Sequence, residues 1–144
     1  MEYLKDFLKF KNEYESQHLF YLHPALALIV LDMTLYFACH GHEFVITSSI
    51  RSKSENTAVG SKSTTHLYED GARAVDVRTS TIPEEFLRNA IDIFSKKYVA
   101  VAAVVKSGDK YITRLIVYGN ENHLSHFHIQ VKRGIPKYYP IQIP

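Results

Sequence analysis

The hydrophobic positions in the first third of the chain follow helical spacing. Leucine and phenylalanine recur at roughly helical intervals over residues 3–15. The apolar run ALALIVLDMTLYFA (25–38) follows Pro24, a residue common in the first turn of a helix, and stops before Gly41. The run is interrupted by Asp32 and is shorter than the ~20 residues that span a bilayer. The pattern therefore predicts a buried helix and no membrane insertion.

Further along the chain, the hydrophobic positions alternate as they do in strands. Strands rich in β-branched residues are predicted at EFVITSS (43–49), ARAVDV (72–77) and HFHIQV (126–131), and residues 99–118 predict a hairpin that turns at 107–109.

The segments between these strands complete the predicted architecture. Residues 51–66 are rich in serine and threonine and predict a long loop, which is more often functional than idle in a small domain. Residues 81–98 predict a helix, with acids in the first turn and lysines in the last. The proline-containing tail from Gly134 predicts an extended strap. Together these elements predict one α+β domain over residues 1–144, with a small antiparallel sheet and helices packed on one side.

Composition and charge exclude several functional classes. A net charge of +2 and scattered basic residues give no stripe for nucleic acid, so no nucleic-acid partner is expected. The single cysteine, Cys39, excludes an intrachain disulfide and a cysteine-based zinc cluster. The N-terminal segment MEYLKDFLKFKNEY is charged throughout and lacks the apolar core of a secretion signal.

The segment HLSHFHIQV (123–131) concentrates three histidines in six positions: His123, His126 and His128. Because side chains alternate across a strand, His126, His128 and Gln130 share one face, and the intervening apolar residues occupy the other. Two histidines on one face can converge on a small target, with His123 bending toward it. The alternative is a solvated strand face that carries histidine by chance.

A catalytic zinc site takes about three ligands from His, Asp or Glu and keeps one position open. His66, at the end of the polar loop, is a further candidate ligand. Asp76 is another, because it stands alone between valines on a predicted strand; its alternative role is a salt bridge to Arg73 or Arg78. The other histidines lie near helix ends and are assigned to structure: His18, His23, His40 and His42.

The ordered set TSSIRS…STTHLYEDGARAVDV…NHLSHFHIQV resembles the family of zinc D-alanyl-D-alanine carboxypeptidases and L-alanyl-D-glutamate endopeptidases, which shares its fold with hedgehog signalling domains. The similarity runs from about residue 47 to 131. It rests on a Ser/Thr-rich segment with an arginine, a histidine followed by an Ala-x-Asp element, and a C-terminal H-x-H. The resemblance implies a hedgehog/DD-peptidase-like fold and a zinc peptidase acting on the stem peptides of bacterial peptidoglycan.

The same resemblance implies a role for each matching residue. His66, Asp76 and His128 match the three Zn²⁺ ligands. His126 and His123 match the accessory histidines that exchange protons during catalysis. Arg51 matches the arginine that contacts a substrate carboxylate or orders the site. Thr64 occupies the position where the family usually has a serine, and its hydroxyl is expected to order the loop.

Two features depart from the family pattern and keep an alternative open. Nine residues separate His66 from Asp76, with YED as the apparent insertion, and Ser125 replaces the usual acidic residue three positions before the last histidine. The alternative is a non-catalytic zinc domain of the same fold, in which His126 supplies a fourth ligand. As an enzyme, the chain is expected to be a phage-type lytic peptidase delivered without a signal peptide, or a wall-recycling peptidase of the cytoplasm.

Overall fold

The structure is a computed structural model that describes residues 8–119 and 125–134. The helices are α1 (Glu13–Gln17), α2 (Pro24–Cys39), α3 (Lys53–Ala58) and α4 (Glu84–Lys97). The strands are β1 (Lys9–Phe10), β2 (Val45–Ser48), β3 (Ala74–Arg78), β4 (Ala103–Ser107), β5 (Lys110–Arg114), β6 (Ile116–Val117) and β7 (His126–Gln130). The predicted C-terminal strap lies largely outside the described residues.

Five strands form the main sheet, in the order β1-β2-β3-β7-β6, and β4 and β5 form a separate hairpin. The α+β class agrees with the prediction. The prediction of an antiparallel sheet is wrong at one edge, because β1 runs parallel to β2. The predicted hairpin turns at the expected place, but the chain then leaves it, and β6 pairs with β7 instead.

The helix predicted over residues 3–15 is wrong at residues 8–12 and agrees with the structure at residues 13–15. Lys9 and Phe10 form β1, which pairs with Val45 and Ile46 at the sheet edge. The helix begins only after Asn12, whose side chain caps it by accepting a hydrogen bond from the Glu15 amide at 3.0 Å. Pairing with the sheet edge overrides the weak helical periodicity of the segment.

The two long helices contribute to the core against the apolar face of the sheet. Phe37 of α2 is fully buried, and its ring contacts Phe127 of β7 and Phe86 of α4. Val75 and Val77 belong to the same buried cluster, as the alternation of β3 predicted. The opposite face of β3 and β7 is thereby left for Asp76 and the β7 histidines. Among the described residues no helix has the length and apolarity to cross a membrane.

Candidate metal centre

The register of β3 and β7 brings two candidate ligands together. Asp76 lies directly opposite His128, and the neighbouring pairs align without a bulge along the five paired positions. Directly opposed residues have Cβ atoms about 5 Å apart, so their side chains meet. His128 Nδ1 lies 2.8 Å from Asp76 Oδ1, which is a hydrogen-bond distance.

His66 reaches the same point from the loop despite the nine intervening residues. Residues Tyr68–Asp70 form a short 3₁₀ turn that ends at Gly71, whose φ of +87° is favourable for glycine. The turn absorbs the extra residues, and the backbone amide of Arg51 donates to the His66 carbonyl at 2.9 Å. His66 is only 2% exposed, so its ring is held in place by its surroundings.

The polar segment predicted as a loop over residues 51–66 contains helix α3. Ser52 and Glu55 form a capping box, in which each side chain bonds to the other residue's backbone amide. The buried Asn56 then holds the following loop, donating to the carbonyls of Ser61 and Ser63 at 3.2 and 2.9 Å. The serine-x-x-glutamate spacing was the sequence signal for this helix.

Three ligand atoms converge at the centre, one each from His66, Asp76 and His128. His66 Nε2 is 3.3 Å from His128 Nδ1 and 3.5 Å from Asp76 Oδ1. Ligands bound to zinc at about 2.0–2.2 Å in a tetrahedral arrangement stand about 3.3 Å apart. The two separations that involve His66 are close to that spacing, whereas the 2.8 Å between Asp76 and His128 is the shorter distance of a hydrogen bond.

The outer nitrogens of both imidazoles face oxygen acceptors. His66 Nδ1 lies 2.7 Å from the Ser49 carbonyl, which can only accept, so Nδ1 carries the proton. His128 Nε2 lies 3.3 Å from Gln130 Oε1 and donates in the same way. His66 Nε2 and His128 Nδ1 therefore face Asp76: each donates to the carboxylate when it carries a proton and offers a lone pair to a metal ion when it does not. Such outer hydrogen bonds are the usual supports of metal-binding histidines.

Asp76 is a buried carboxylate that keeps its negative charge. Burial alone would raise the pKa of Asp76, but hydrogen bonds and charge from His128 and His66 outweigh burial and hold the pKa far below its ordinary value. Arg51 Nη2 donates to the second oxygen, Oδ2, at 3.1 Å. The salt bridge of Asp76 is thus formed with Arg51, and the alternative partners Arg73 and Arg78 are not used.

The Arg51 side chain contacts both a candidate ligand and the cleft. Its guanidinium orders Asp76 and also borders the open cleft over the centre. Of the two roles that the resemblance implies for Arg51, the described contact is the ordering one. Thr64 orders its loop as expected, because its hydroxyl donates to Asp70 at 2.8 Å.

His126 stands beside the three converging residues. Its Nε2 is 4.0 Å from Asp76 Oδ1, and its side chain is 27% exposed. Burial lowers the pKa of His126. The charge of Asp76 acts to raise it, but burial together with the nearby His128, His66 and Arg51 outweighs Asp76, so the pKa stays below its ordinary value. A neutral His126 near pH 7 can accept a proton. His123 lies outside the described residues, and Ser125, directly before β7, is exposed.

An open cleft of about 600 Å³ gives access to the centre. One wall is the loop at 59–63, and the floor includes the three converging residues, His126 and Gln130. Sequence reasoning had placed Gln130 on the correct face but gave it no role. It had also passed over Ser49, whose carbonyl contacts His66, and Glu15, which holds Ser49 in place. The amide and the hydroxyl of Ser49 donate to Glu15 Oε2 at 2.9 and 2.6 Å.

His23 and His40 form the helix-end contacts that the sequence predicted, whereas His18 contacts the residue that supports His66. His23 caps α2 by accepting from the Ala25 amide at 3.2 Å, and His40 bonds to the Tyr36 carbonyl at the other end of that helix. His18 contacts the Ser49 hydroxyl at 3.1 Å. These contacts separate the helix-end histidines from the cluster on β7.

Neither a protein-family model nor a characterised protein nor a solved structure matches this chain at a significant level. The interpretation of the centre therefore depends on its geometry and on the sequence motifs. What these define is a buried His-Asp-His group that can bind a metal ion.

Proposed function

We propose that the chain is a zinc-dependent peptidase of the hedgehog/DD-peptidase fold. The observation that carries the proposal is the convergence of His66 Nε2, Asp76 Oδ1 and His128 Nδ1 at the base of an open cleft. Two imidazole nitrogens and a carboxylate oxygen within 3.5 Å of one another are a set of donors that a metal ion between them would hold together. Two imidazoles and one carboxylate are a ligand set typical of catalytic zinc.

The donor set also supports zinc over the harder divalent ions. Magnesium and calcium prefer oxygen ligands, whereas two of the three donors here are imidazole nitrogens. His66, Asp76 and His128 would hold the ion and leave the side facing the cleft for substrate. When bound, zinc supplies Lewis acidity, which polarises a carbonyl and makes water a better nucleophile near neutral pH.

The residues around the centre have roles that suit peptide hydrolysis. His126 borders the cleft and, with its lowered pKa, can take a proton from the attacking water and return it to the leaving amine. Arg51 fixes the Asp76 carboxylate through Oδ2, and Gln130 and Ser49 fix the outer nitrogens of the two histidines. His123 remains a predicted accessory histidine.

The substrate class is proposed from the resemblance of the motifs. Peptidoglycan stem peptides carry D-amino acids and free carboxylates, and the motifs around Arg51, His66 and His128 are similar to those of peptidases that cleave them. A carboxypeptidase and an endopeptidase specificity are both compatible with the open cleft. A lytic or wall-recycling role follows from that substrate.

A second candidate function is a non-catalytic zinc domain of the same fold. The observation in its favour is the position of His126, whose Nε2 lies 4.0 Å from Asp76 Oδ1 and can move in as a fourth ligand. Four protein ligands would close the coordination shell, as in structural zinc sites. Ser125, which replaces an acidic residue, favours this candidate as well.

Hydrolysis of a stem pentapeptide, followed by mass spectrometry, tests the proposal. We expect cleavage by the zinc-loaded protein, loss of cleavage after chelation and its return with added zinc. Asp76→Ala should abolish cleavage, whereas Asp92→Ala, on the exposed side of α4, should not.

The His126→Ala variant separates the two candidates. In a peptidase, His126→Ala retains zinc and loses about 10²–10⁴-fold in rate, since a general base is removed. In a structural zinc domain, the variant binds zinc more weakly, and the wild type cleaves nothing. Absence of cleavage by zinc-loaded wild-type protein on both stem peptides and intact peptidoglycan would contradict the peptidase proposal.

A further inference from the structure

A second cleft continues from the metal centre. It has a volume of about 760 Å³ and shares Lys62, Ser63 and Gln130 with the cleft over the centre. We call this second cleft the basic groove. The two clefts therefore adjoin, and a peptide that lies over the candidate metal centre can reach the basic groove.

The basic groove exists because β4 separates from the main sheet. A single bridge joins Ala102 to Val131, after which β6 takes the place beside β7, with Val117 opposite His128. The diverging β4 leaves Val104 and Val105 along one side of the groove. The loop around Lys62 forms another part of its lining.

The charges that line the basic groove are positive. Its cationic side chains are Lys62, Arg73, Lys132 and Arg133, and no carboxylate of the described residues lines it. The nearby Asp70 is already engaged, since it accepts from Arg73 at 2.6 Å and from Arg133 at 3.2 Å. Hydroxyls of Ser63, Thr64 and Thr65 lie among the cations.

Two of these cations have no structural task in the described part of the chain. Lys62 and Lys132 are exposed, and neither forms an ion pair with a carboxylate of the residues at 8–119 or 125–134. The whole chain has a net charge of only +2, so this concentration of positive charge is local. Ammonium and guanidinium groups placed among hydroxyls are typical of a site for a carboxylate.

We propose that the basic groove binds a carboxylate of the peptide substrate, at a distance from the bond that is cleaved at the metal centre. The inference rests on the proposed function, because the groove is assigned to a substrate that also occupies the metal cleft. Lys132 supplies a positive charge, and Arg133 adds a guanidinium that it shares with Asp70. Lys62 and Gln130 line both clefts.

The test compares two fluorescent stem pentapeptides that differ only in one group, the glutamate carboxylate being free in one and amidated in the other. Binding to zinc-loaded protein is measured by anisotropy within minutes of mixing, and hydrolysis of the same peptides is followed for hours. The variants are Lys132→Glu, Lys132→Glu/Arg133→Glu and, as a single charge reversal matched to the first, Lys11→Glu, which lies near β1 at the other edge of the sheet. Zinc content and circular dichroism establish that each variant is folded.

The wild type and Lys11→Glu should bind the free acid about three- to tenfold more tightly than the amide, and the double variant should lose this preference. A preference without hydrolysis would uphold the basic groove and contradict the peptidase. Hydrolysis without a preference, or a preference that survives in the double variant, would overturn the groove and leave the peptidase intact. If millimolar inorganic phosphate abolishes the preference completely, the groove is a general anion site and the proposal is also overturned.

Discussion

Asp76 links every part of the candidate metal centre at the scale of single residues. One oxygen faces the two imidazoles, and the other accepts from Arg51. With both oxygens engaged, the carboxylate has one fixed orientation. The centre is therefore organised before any ion binds, which reduces the entropic cost of metal binding.

Arg51→Ala should weaken zinc binding about 10–100-fold, since outer contacts to ligands affect metal affinity by that amount. Competition with a chromophoric chelator measures the affinity. Arg88→Ala is the matched control, because Arg88 forms an exposed pair with Glu84 within α4. An unchanged zinc affinity in Arg51→Ala would mean that Arg51 acts on the substrate alone, and its effect would then appear in KM.

At this scale the sequence predicted the faces of the strands but not the contacts between distant segments. Alternation was enough to place His126, His128 and Asp76 on the polar faces of β7 and β3. The pairing of Arg51 with Asp76 depends on how the loop folds over the sheet, and no local pattern encodes it. The support of His66 by Ser49 depends on a backbone carbonyl, which carries no sequence signal.

At the scale of elements, the two long helices are joined by a polar contact at the edge of the core. The Asp32 carboxylate of α2 accepts from Lys97 and from Tyr98, both at 2.6 Å, where α4 ends. Burial acts to raise the pKa of Asp32, but these hydrogen bonds outweigh burial and lower its pKa below the ordinary value. The charged form of Asp32 therefore stabilises the fold.

Asp32→Asn should lower the free energy of unfolding by about 1 kcal/mol at pH 7. Because the folded-state pKa is lowered, the contribution of Asp32 is complete above its unfolded pKa of about 3.9 and is lost as pH falls through the folded pKa. The difference between wild type and variant should therefore shrink below about pH 4. Urea unfolding at several pH values measures it, with the exposed Asp92→Asn as control; a difference independent of pH would contradict the assignment.

Elements with a strong hydrophobic periodicity were predictable from the sequence, whereas short elements that depend on contacts with distant segments were not. Helices α2 and α4 and strands β3 and β7 follow their patterns closely. Strand β1 has only two residues and exists because the β2 edge is available to it. Helix α3 is short and polar on all sides, so its only signal was the capping box at Ser52.

At the scale of the whole molecule, one face of the sheet packs into the hydrophobic core and the other carries the candidate functional residues. The helices α2 and α4 bury the apolar face, while the polar face carries the candidate metal centre and, beside it, the basic groove. The net charge of the chain gave no sign of the local positive charge in the groove, because 17 basic and 15 acidic residues nearly cancel. Only the fold shows that Lys62 and Lys132, 70 positions apart in sequence, line one cleft.

Zinc should raise the thermal stability of the whole molecule, because an ion that binds the folded state alone stabilises it by mass action. At free zinc about 100 times its Kd, the gain is about 2.7 kcal/mol. For a chain of this size, the midpoint should rise by about 5–10 °C. Differential scanning fluorimetry measures the shift, and magnesium should give none. A similar rise in His128→Ala would indicate that zinc binds elsewhere.

The central claim is that His66, Asp76 and His128 form a zinc site, and elemental analysis of protein purified without chelators tests it most directly. The wild type should contain about one zinc per chain, and His66→Ala, Asp76→Ala and His128→Ala should each lose it. His40→Ala, which alters only a helix end, should keep it. A wild type that contains no zinc, even after zinc is added back, would contradict the account, and so would full zinc content in all three variants.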